Sequence, residues 1–196
     1  MIYLYAVIDE PPPSLEEGLR LVRCGELLIV AGEEVLPLTP ENLAKQDAVV
    51  RGLSATAVLP IRFGEKVQDE EELSKLLKPR AAELTEALEK VRGCAQMTLR
   101  VFGEPAPLPE LQGGPGTQYL EAKRRAHALP EIEPLLERLR PLVRAERIER
   151  KDQGNLLGTV YHLVRREDLP AYKEASEAPQ VAVSGPFPPY AFAPGL

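Results

Sequence analysis

The residues that could do acid, base or nucleophilic chemistry in this chain are few and widely spaced. Its only histidines are His127 and His162, and its only cysteines are Cys24 and Cys94. A hydrolytic or transfer site needs a base beside a nucleophile, and a zinc site needs short pairs such as CxxC or HxxxH. Because neither spacing occurs, we expect no catalytic centre and no metal site. We expect both histidines to lie on the surface or to line a cavity.

The glycine-rich segment Gly113–Thr117, GGPGT, is the one candidate for binding a phosphate-bearing cofactor. Glycine-rich turns before a helix expose backbone N–H groups at the positive end of the helix dipole. The segment lacks the Lys-Ser/Thr pair of a P-loop, and it follows a proline-rich stretch and not a strand. A hinge followed by a helix start is therefore favoured, and no cofactor is predicted.

Charge and hydropathy exclude two further classes of partner. The net charge is −6, and the basic residues between Lys123 and Lys151 are interleaved with acidic ones, as on a solvated, ion-paired surface. Nucleic-acid binding instead needs clustered Lys and Arg, with stacking aromatics for single strands. No stretch approaches the ~18 apolar residues that span a bilayer. We therefore predict no nucleic-acid partner and no membrane partner.

The segment Ser184–Phe192, SGPFPPYAF, has no such ordinary explanation. It places three aromatic residues among three prolines, in a chain with only ten Phe and Tyr. Prolines favour an extended backbone and reduce the entropy lost on docking. The segment can dock on the protein's own sheet or present its aromatic side chains to a partner. Self-docking is slightly favoured, and both interpretations stay open.

A second unusual segment is Leu59–Gly64, LPIRFG. Side chains alternate across a strand, so Arg62 points to the face opposite Ile61 and Phe63. The guanidinium can pair with a carboxylate inside the protein or face a partner, and we favour the internal pair.

Hydrophobic periodicity and the positions of Pro and Gly predict the secondary structure. The predicted strands are Ile2–Ile8, Leu27–Ala31, Thr56–Phe63, Gln96–Phe102, Arg144–Lys151, Leu156–Arg165 and Gln180–Ser184. The predicted helices run from Thr39 to Arg51, from Asp69 to Val91 with a break at Pro79, from Thr117 to Arg140, and from Glu167 to Ser176.

This order predicts an α+β fold. From Gln96 onward it reads strand, helix, strand, strand, helix, strand, which is the split βαβ arrangement of ferredoxin-like modules, and the first half is a looser version of it. We predict two small ferredoxin-like modules, 1–103 and 104–196, joined by a Pro/Gly-rich segment and followed by an extended C-terminal tail. The strand at 96–102 lies at their junction and can be shared by both.

Five segments, in order, resemble motifs of the gas vesicle GvpL/GvpF family. Those motifs are a tyrosine-rich first strand, a central LPLRFG-like motif, a glycine before an alternating strand, a GPG-like loop before a Tyr-Leu helix, and a terminal GPWPPYSF. The similar segments here are Tyr3–Val7, Leu59–Gly64, Gly93–Val101, Gly114–Leu120 and Gly185–Phe192. Phe187 stands where the family usually has Trp, and Gln46-Asp47 stand in the helix where it commonly has His.

The resemblance implies a cytoplasmic accessory protein of gas vesicle assembly. It implies that the chain is not an enzyme and that it acts by binding the small hydrophobic shell protein and other vesicle accessory proteins. The residues that carry the motifs, and hence the candidate interaction residues, are Arg62, Phe63, Gly64, Tyr119, Gly185, Pro186, Phe187, Pro188, Pro189, Tyr190 and Phe192.

Two alternative functions remain open at this point. Ferredoxin-like folds support many activities, so a ligand-binding or enzymatic module is one, and it predicts a concave pocket with converging polar groups. A general interaction scaffold outside gas vesicle formation is the other, and it predicts partners other than vesicle proteins.

Overall fold

The computed structural model describes residues 1–53, 56–104, 114, 116 and 128–195, with the side chains of 152 and 153 left aside. The chain forms two compact units, one of Met1–Cys94 with Phe187–Leu196 and one of Ala95–Pro186. This division differs from the expected boundary at 103/104. The strand at 96–102 belongs to the second unit because its sheet neighbours all come later in the chain. The last ten residues return to the first unit.

Within its described residues, the first unit has five strands and three α-helices. The strands are β1 Ile2–Ile8, β2 Leu19–Cys24, β3 Leu27–Gly32, β4 Val58–Pro60 and β5 Lys66–Val67. The helices are α1 Pro40–Gly52, α2 Glu70–Leu77 and α3 Ala81–Val91.

The second unit is described by four strands and two α-helices. The strands are β6 Cys94–Phe102, β7 Val143–Gln153, β8 Leu156–Arg165 and β9 Val181–Phe187. The helices are α4 Glu133–Leu139 and α5 Leu169–Ala175. The expected Pro/Gly-rich joining segment and the start of the helix expected at Thr117 lie largely outside the described residues.

The first sheet is built around β1, whose seven residues are all buried. Its order is β2-β3-β1-β4, with β5 pairing to the other end of β1, and every pairing is antiparallel. Sequence reasoning missed β2, which forms a hairpin with β3 through Gly25 at φ 65°. With this strand, three strands precede the first helix, so the first unit departs from the expected split βαβ order.

The helices of the first unit begin and end where the sequence predicts. The Thr39 side chain accepts the Asn42 N–H at 3.2 Å, with Pro40 at the first helical position, as expected of an N-cap followed by proline. The expected break at Pro79 is also present, as a 3₁₀ turn between α2 and α3. The proline lacks the N–H that a continuous helix would need there.

The second sheet has the order β7-β8-β6-β9. The predicted hairpin of β7 and β8 is confirmed, and Gly154 in its turn has φ 61°, which glycine adopts without steric cost. A core of buried apolar side chains holds the sheet to its helices, including Met97, Leu99, Val101, Leu136, Leu139, Val160 and Tyr172.

A nearly buried ion pair joins β7 to the turn that precedes α4. The Arg150 guanidinium donates to both carboxylate oxygens of Glu131, at 2.9 and 3.3 Å, and also to the Ala128 carbonyl at 3.3 Å. Only 5% of the Arg150 side chain and 11% of the Glu131 side chain are exposed. Removing either partner would leave a buried charge without its counter-charge.

We therefore predict that Glu131→Ala lowers the free energy of unfolding by about 3–5 kcal/mol, since it removes the carboxylate that pairs with the nearly buried Arg150 guanidinium. Glu133→Ala is the matched control, because Glu133 is 55% exposed and lies 3.9 Å from Arg140. That change should cost less than about 1 kcal/mol. Urea unfolding followed by circular dichroism measures both. Equal losses of unfolding free energy in the two variants would show that the buried pair stabilises the protein no more than the exposed one.

Candidate functional site

Two consecutive residues of α1 hold the two unusual segments of the sequence. Gln46 contacts Leu59–Gly64, called the central motif here, and Asp47 contacts Gly185–Phe192, called the C-terminal segment. All of these contacts lie within the first unit.

The central motif is fixed by hydrogen bonds to Tyr3 and Gln46, both almost fully buried. The Tyr3 hydroxyl donates to the Gln46 side-chain carbonyl at 2.6 Å and accepts the Gly64 N–H at 2.9 Å. The Gln46 amide N–H₂ donates to the Ile61 carbonyl at 2.9 Å. Three sequence-distant parts of the unit are therefore joined by one polar network in the core.

The network shapes a tight turn. The Glu65 N–H donates to the Arg62 carbonyl at 3.3 Å, and Gly64 has φ 90°, as the third residue of a type II turn requires. The Phe63 ring packs edge-on against Tyr3, with 6.0 Å between ring centroids. Burial raises the pKa of Tyr3, although the Gly64 N–H opposes that shift. The hydroxyl therefore remains a donor to Gln46.

Among the described residues, Arg62 does not make the internal ion pair that we favoured. Its side chain is exposed, and no ion pair to it occurs in the part of the chain that the structure describes. The reason is that strand β4 ends at Pro60, so Arg62 lies in the turn and not in a strand with one buried face. The guanidinium is thus presented to solvent from a rigid turn.

The first contacts of the C-terminal segment are with charged side chains of α1. The Tyr190 hydroxyl donates to one carboxylate oxygen of Asp47 at 3.2 Å, and the other oxygen pairs with Arg51 at 2.5 Å. The Arg51 guanidinium lies over the Phe187 ring, 5.2 Å from its centroid. Burial, and then the Asp47 charge, raise the pKa of Tyr190 well above its usual value.

Further along, the segment reaches α3 and the sheet. The Lys90 ammonium lies 6.0 Å from the centroid of Phe192, and Arg80 donates to the Gly195 carbonyl. Pro188 and Pro189 are buried, and the turn at Tyr190–Phe192 contacts β4. The segment therefore docks on its own chain, while 40% of Tyr190 stays exposed.

Gly185 has a separate steric role in the second unit. It has φ 125°, and a Cβ there would lie 2.8 Å from the Gln96 carbonyl and 2.9 Å from the Met97 sulfur. Only glycine fits this position, where β9 passes β6. Tyr119, also among the candidate residues, lies outside the described residues, as do His127 and most of Gly113–Thr117.

Comparison with known proteins identifies the family of this chain. A family model described as "Gas vesicle synthesis protein GvpL/GvpF" matches residues 1–194. The chain belongs to the GvpL/GvpF family. It is 26% identical to "Gas vesicle protein L" of Streptomyces sp. (strain CB03234), over 97% of this chain and 92% of that protein. The expected family membership is thereby confirmed.

Two solved structures share the fold of this GvpL/GvpF chain. The crystal structure of GvpF from Anabaena sp. PCC7120 superposes with a TM-score of 0.74 at 17% identity, covering 98% of this chain and 95% of that one. GvpF from Microcystis aeruginosa gives 0.73 at 16% identity, with 98% of both chains covered. The α+β class is confirmed, and membership implies a role in gas vesicle formation.

A buried polar network in the second unit was not foreseen. His162 was expected on the surface or lining a cavity, but it is fully buried. Its Nδ1 lies 2.7 Å from the Tyr172 hydroxyl and its Nε2 lies 2.8 Å from a Glu146 carboxylate oxygen. The expectation failed because the strand pattern alone does not show that α5 places Tyr172 over the imidazole.

This network adjoins a pocket through Glu146 alone. Glu146 lines a cavity of about 410 Å³ together with Glu133, Arg140 and Arg144. Tyr172 and His162 have no exposed surface, so neither can reach a bound molecule. Burial also raises the pKa of Tyr172 strongly, which keeps its hydroxyl neutral. The geometry is that of a structural hydrogen-bond chain.

The residues that the structure describes lack two further features. None of the helices there is long and apolar enough to cross a membrane. In the same residues, no group of three or more His, Cys, Asp or Glu side chains is placed to hold a metal ion.

We predict that Tyr3→Phe destabilises the protein by about 1–3 kcal/mol, because the Gln46 carbonyl and the Gly64 N–H both lose a buried partner. Tyr5→Phe is the control, since Tyr5 is buried but its hydroxyl makes no hydrogen bond within the described residues. Thermal unfolding of both variants checks this. A Tyr5→Phe loss as large as that of Tyr3→Phe would argue against the network.

A second prediction concerns pH. The hydrogen bond from His162 lowers the pKa of Glu146, so this bond stabilises the fold above the unfolded value of about 4.3 and is lost as pH falls through the lower folded value. Glu146→Gln should therefore cost on the order of 1 kcal/mol near pH 6.5, and this cost should shrink as pH falls from about 4.3 through the lower folded pKa. Urea unfolding across this range measures the difference. A pH-independent loss would contradict it.

Proposed function

We propose that this GvpL/GvpF protein is a cytoplasmic assembly factor that binds the small hydrophobic shell protein and other vesicle accessory proteins. The observation that carries the proposal is the chemistry of the last nineteen residues. No charged residue occurs from Ala178 to Leu196, in a chain with 28% charged residues. Val183 and Tyr190 remain 36% and 40% exposed within this stretch.

An uncharged surface with exposed apolar and aromatic side chains suits an apolar partner. A hydrophobic shell protein exposes apolar area before it polymerises, and covering that area yields about 25 cal/mol per Å². A charged surface would instead lose hydration without gaining a partner for each charge. Binding can therefore hold or orient the shell protein until it joins the growing wall.

The hydrogen bonds of Gln46 and Asp47 support the same proposal. They fix the central motif and the C-terminal segment before any partner arrives, so little conformational entropy is lost on binding. Arg62 and Tyr190 are the exposed side chains of the two motifs and are our candidates for direct contact.

We also infer that the second unit is a ferredoxin-like module and that the protein acts by binding, not by catalysis. The strand order β7-β8-β6-β9 supports the first point, because the split βαβ arrangement places its first and third strands side by side in the centre. The burial of His162 and Tyr172 supports the second. Fold alone would decide neither.

The proposal is tested by restoring vesicles to a host whose own copy of the gene is deleted. The wild-type gene should restore buoyancy. Tyr190→Ala should reduce vesicle yield several-fold, and Tyr190→Phe, which keeps the ring and loses the bond to Asp47, should retain most of it. Vesicle counts by electron microscopy measure the yield. Normal vesicles in the deletion strain would contradict an essential role.

A binding assay separates shell-protein binding from other causes. Purified full-length protein is mixed with the major shell protein of the same host, and their association is measured by co-purification. Wild-type protein should retain the shell protein, and Arg62→Ala combined with Tyr190→Ala should weaken retention. Because Tyr190→Ala also removes the bond to Asp47, circular dichroism checks that the variant is still folded. Absence of association with the wild-type protein would remove shell-protein binding from the proposal.

A further inference from the structure

We propose that the outer edge of β9, at Val181–Ser184, binds an uncharged extended segment of the shell protein by adding it as a strand. This inference rests on the proposed function and adds a contact made by the second unit to the candidates Arg62 and Tyr190 of the first. Exposed strand edges carry free N–H and C=O groups and are a known mode of peptide recognition.

The two outer strands of the second sheet differ sharply in charge. Seven of the eleven residues of β7 are charged, from Arg144 to Asp152. Charged side chains are the usual protection of a sheet edge against added strands. β9 has no charged residue over Val181–Phe187, and both Ala182 and Val183 are exposed. Among the described residues, the sheet is therefore protected by charge at the β7 edge and has no strand paired to the outer edge of β9.

The backbone direction of β9 follows from its contacts with β6. The Phe102 N–H donates to the Gln180 carbonyl at 2.8 Å, and the Ser184 hydroxyl lies 3.4 Å from the Thr98 carbonyl. The two strands are thus antiparallel. Residues alternate in the direction of their backbone groups, so Val183 directs its N–H and C=O away from β6. These are the groups that an added strand would bond.

The length of this edge argues for a partner chain over a second copy of the protein. Gly185 has φ 125°, which departs from extended backbone, so the regular part of this edge is Val181–Ser184 although β9 continues to Phe187. Symmetric pairing of two four-residue edges would cover far less than the about 1,200 Å² that stable interfaces bury. A shell-protein segment that adds as a strand needs only the backbone groups of this edge, with side-chain contacts to the exposed Ala182 and Val183. The absence of charge also matches a hydrophobic strand and disfavours a charged one.

The experiment compares variants of the full-length protein in the co-purification assay with the major shell protein. Val183→Lys places a charge on the edge, and Val183→Pro removes the outward N–H without touching the ladder to β6. Each should weaken binding about tenfold or more. Val183→Thr keeps the branched side chain and the N–H and should bind as wild type does. Leu76→Lys places the same charge on another exposed apolar residue, 39% exposed on α2, and should also bind normally.

Circular dichroism confirms that each variant folds, and Val183→Lys carries the test if the proline variant does not. Wild-type binding in both Val183→Lys and Val183→Pro would overturn strand addition while leaving the proposed function intact. No binding by the wild-type protein would instead remove both. A wild-type dimer in light scattering that Val183→Pro abolishes, with shell binding unchanged, would assign the edge to a second copy and overturn the inference.

Discussion

The first unit depends on the hydrogen bond between the buried Tyr3 hydroxyl and the Gln46 side-chain carbonyl. A polar group taken out of water must find a partner or cost several kcal/mol, so this bond and those to Ile61 and Gly64 constrain one another. The central strand, the first helix and the central motif therefore cannot shift independently. The turn that exposes Arg62 is held in place because the buried Tyr3 and Gln46 side chains hydrogen-bond to its backbone.

The neighbouring residue applies a different kind of constraint to the chain's end. Asp47 and Arg51 form a pair that bonds Tyr190 and covers Phe187, while Lys90 and Arg80 meet the residues beyond. All the charged groups in these contacts belong to α1, to α3 and to the turn between α2 and α3, and the C-terminal segment contributes only uncharged groups. Cation–π contacts and hydrogen bonds to charged groups are each worth roughly 0.5–3 kcal/mol. Their sum holds an extended segment that has little regular structure of its own.

Local signals in the sequence predicted most elements, and tertiary contacts account for the differences. Thr39-Pro40, Pro79 and the DQGN turn of the β7–β8 hairpin each act through neighbouring residues, so their effects were foreseen. Strand β2 was missed because Arg20 and Arg23 interrupt its apolar residues, and the strand is recognised only from its hairpin with β3. The burial of His162 and the roles of Gln46 and Asp47 depend on residues far away in sequence, which periodicity cannot reveal. The motifs identified the family, but the sequence did not show that both of them contact α1 or that the Arg62 side chain is exposed.

An uncharged sheet edge carries a cost that a protein with no use for it would be expected to avoid. Such edges promote aggregation, and a single lysine is enough to protect one. The chain has 24 Lys and Arg and places four of them on β7, yet none on β9. Cores need apolar residues, but Ala182 and Val183 are exposed and contribute little to one. Stability therefore does not explain the missing charge. A charge at this edge would have to lose its hydration beside an apolar strand, which is the cost that the proposed mode of binding would avoid.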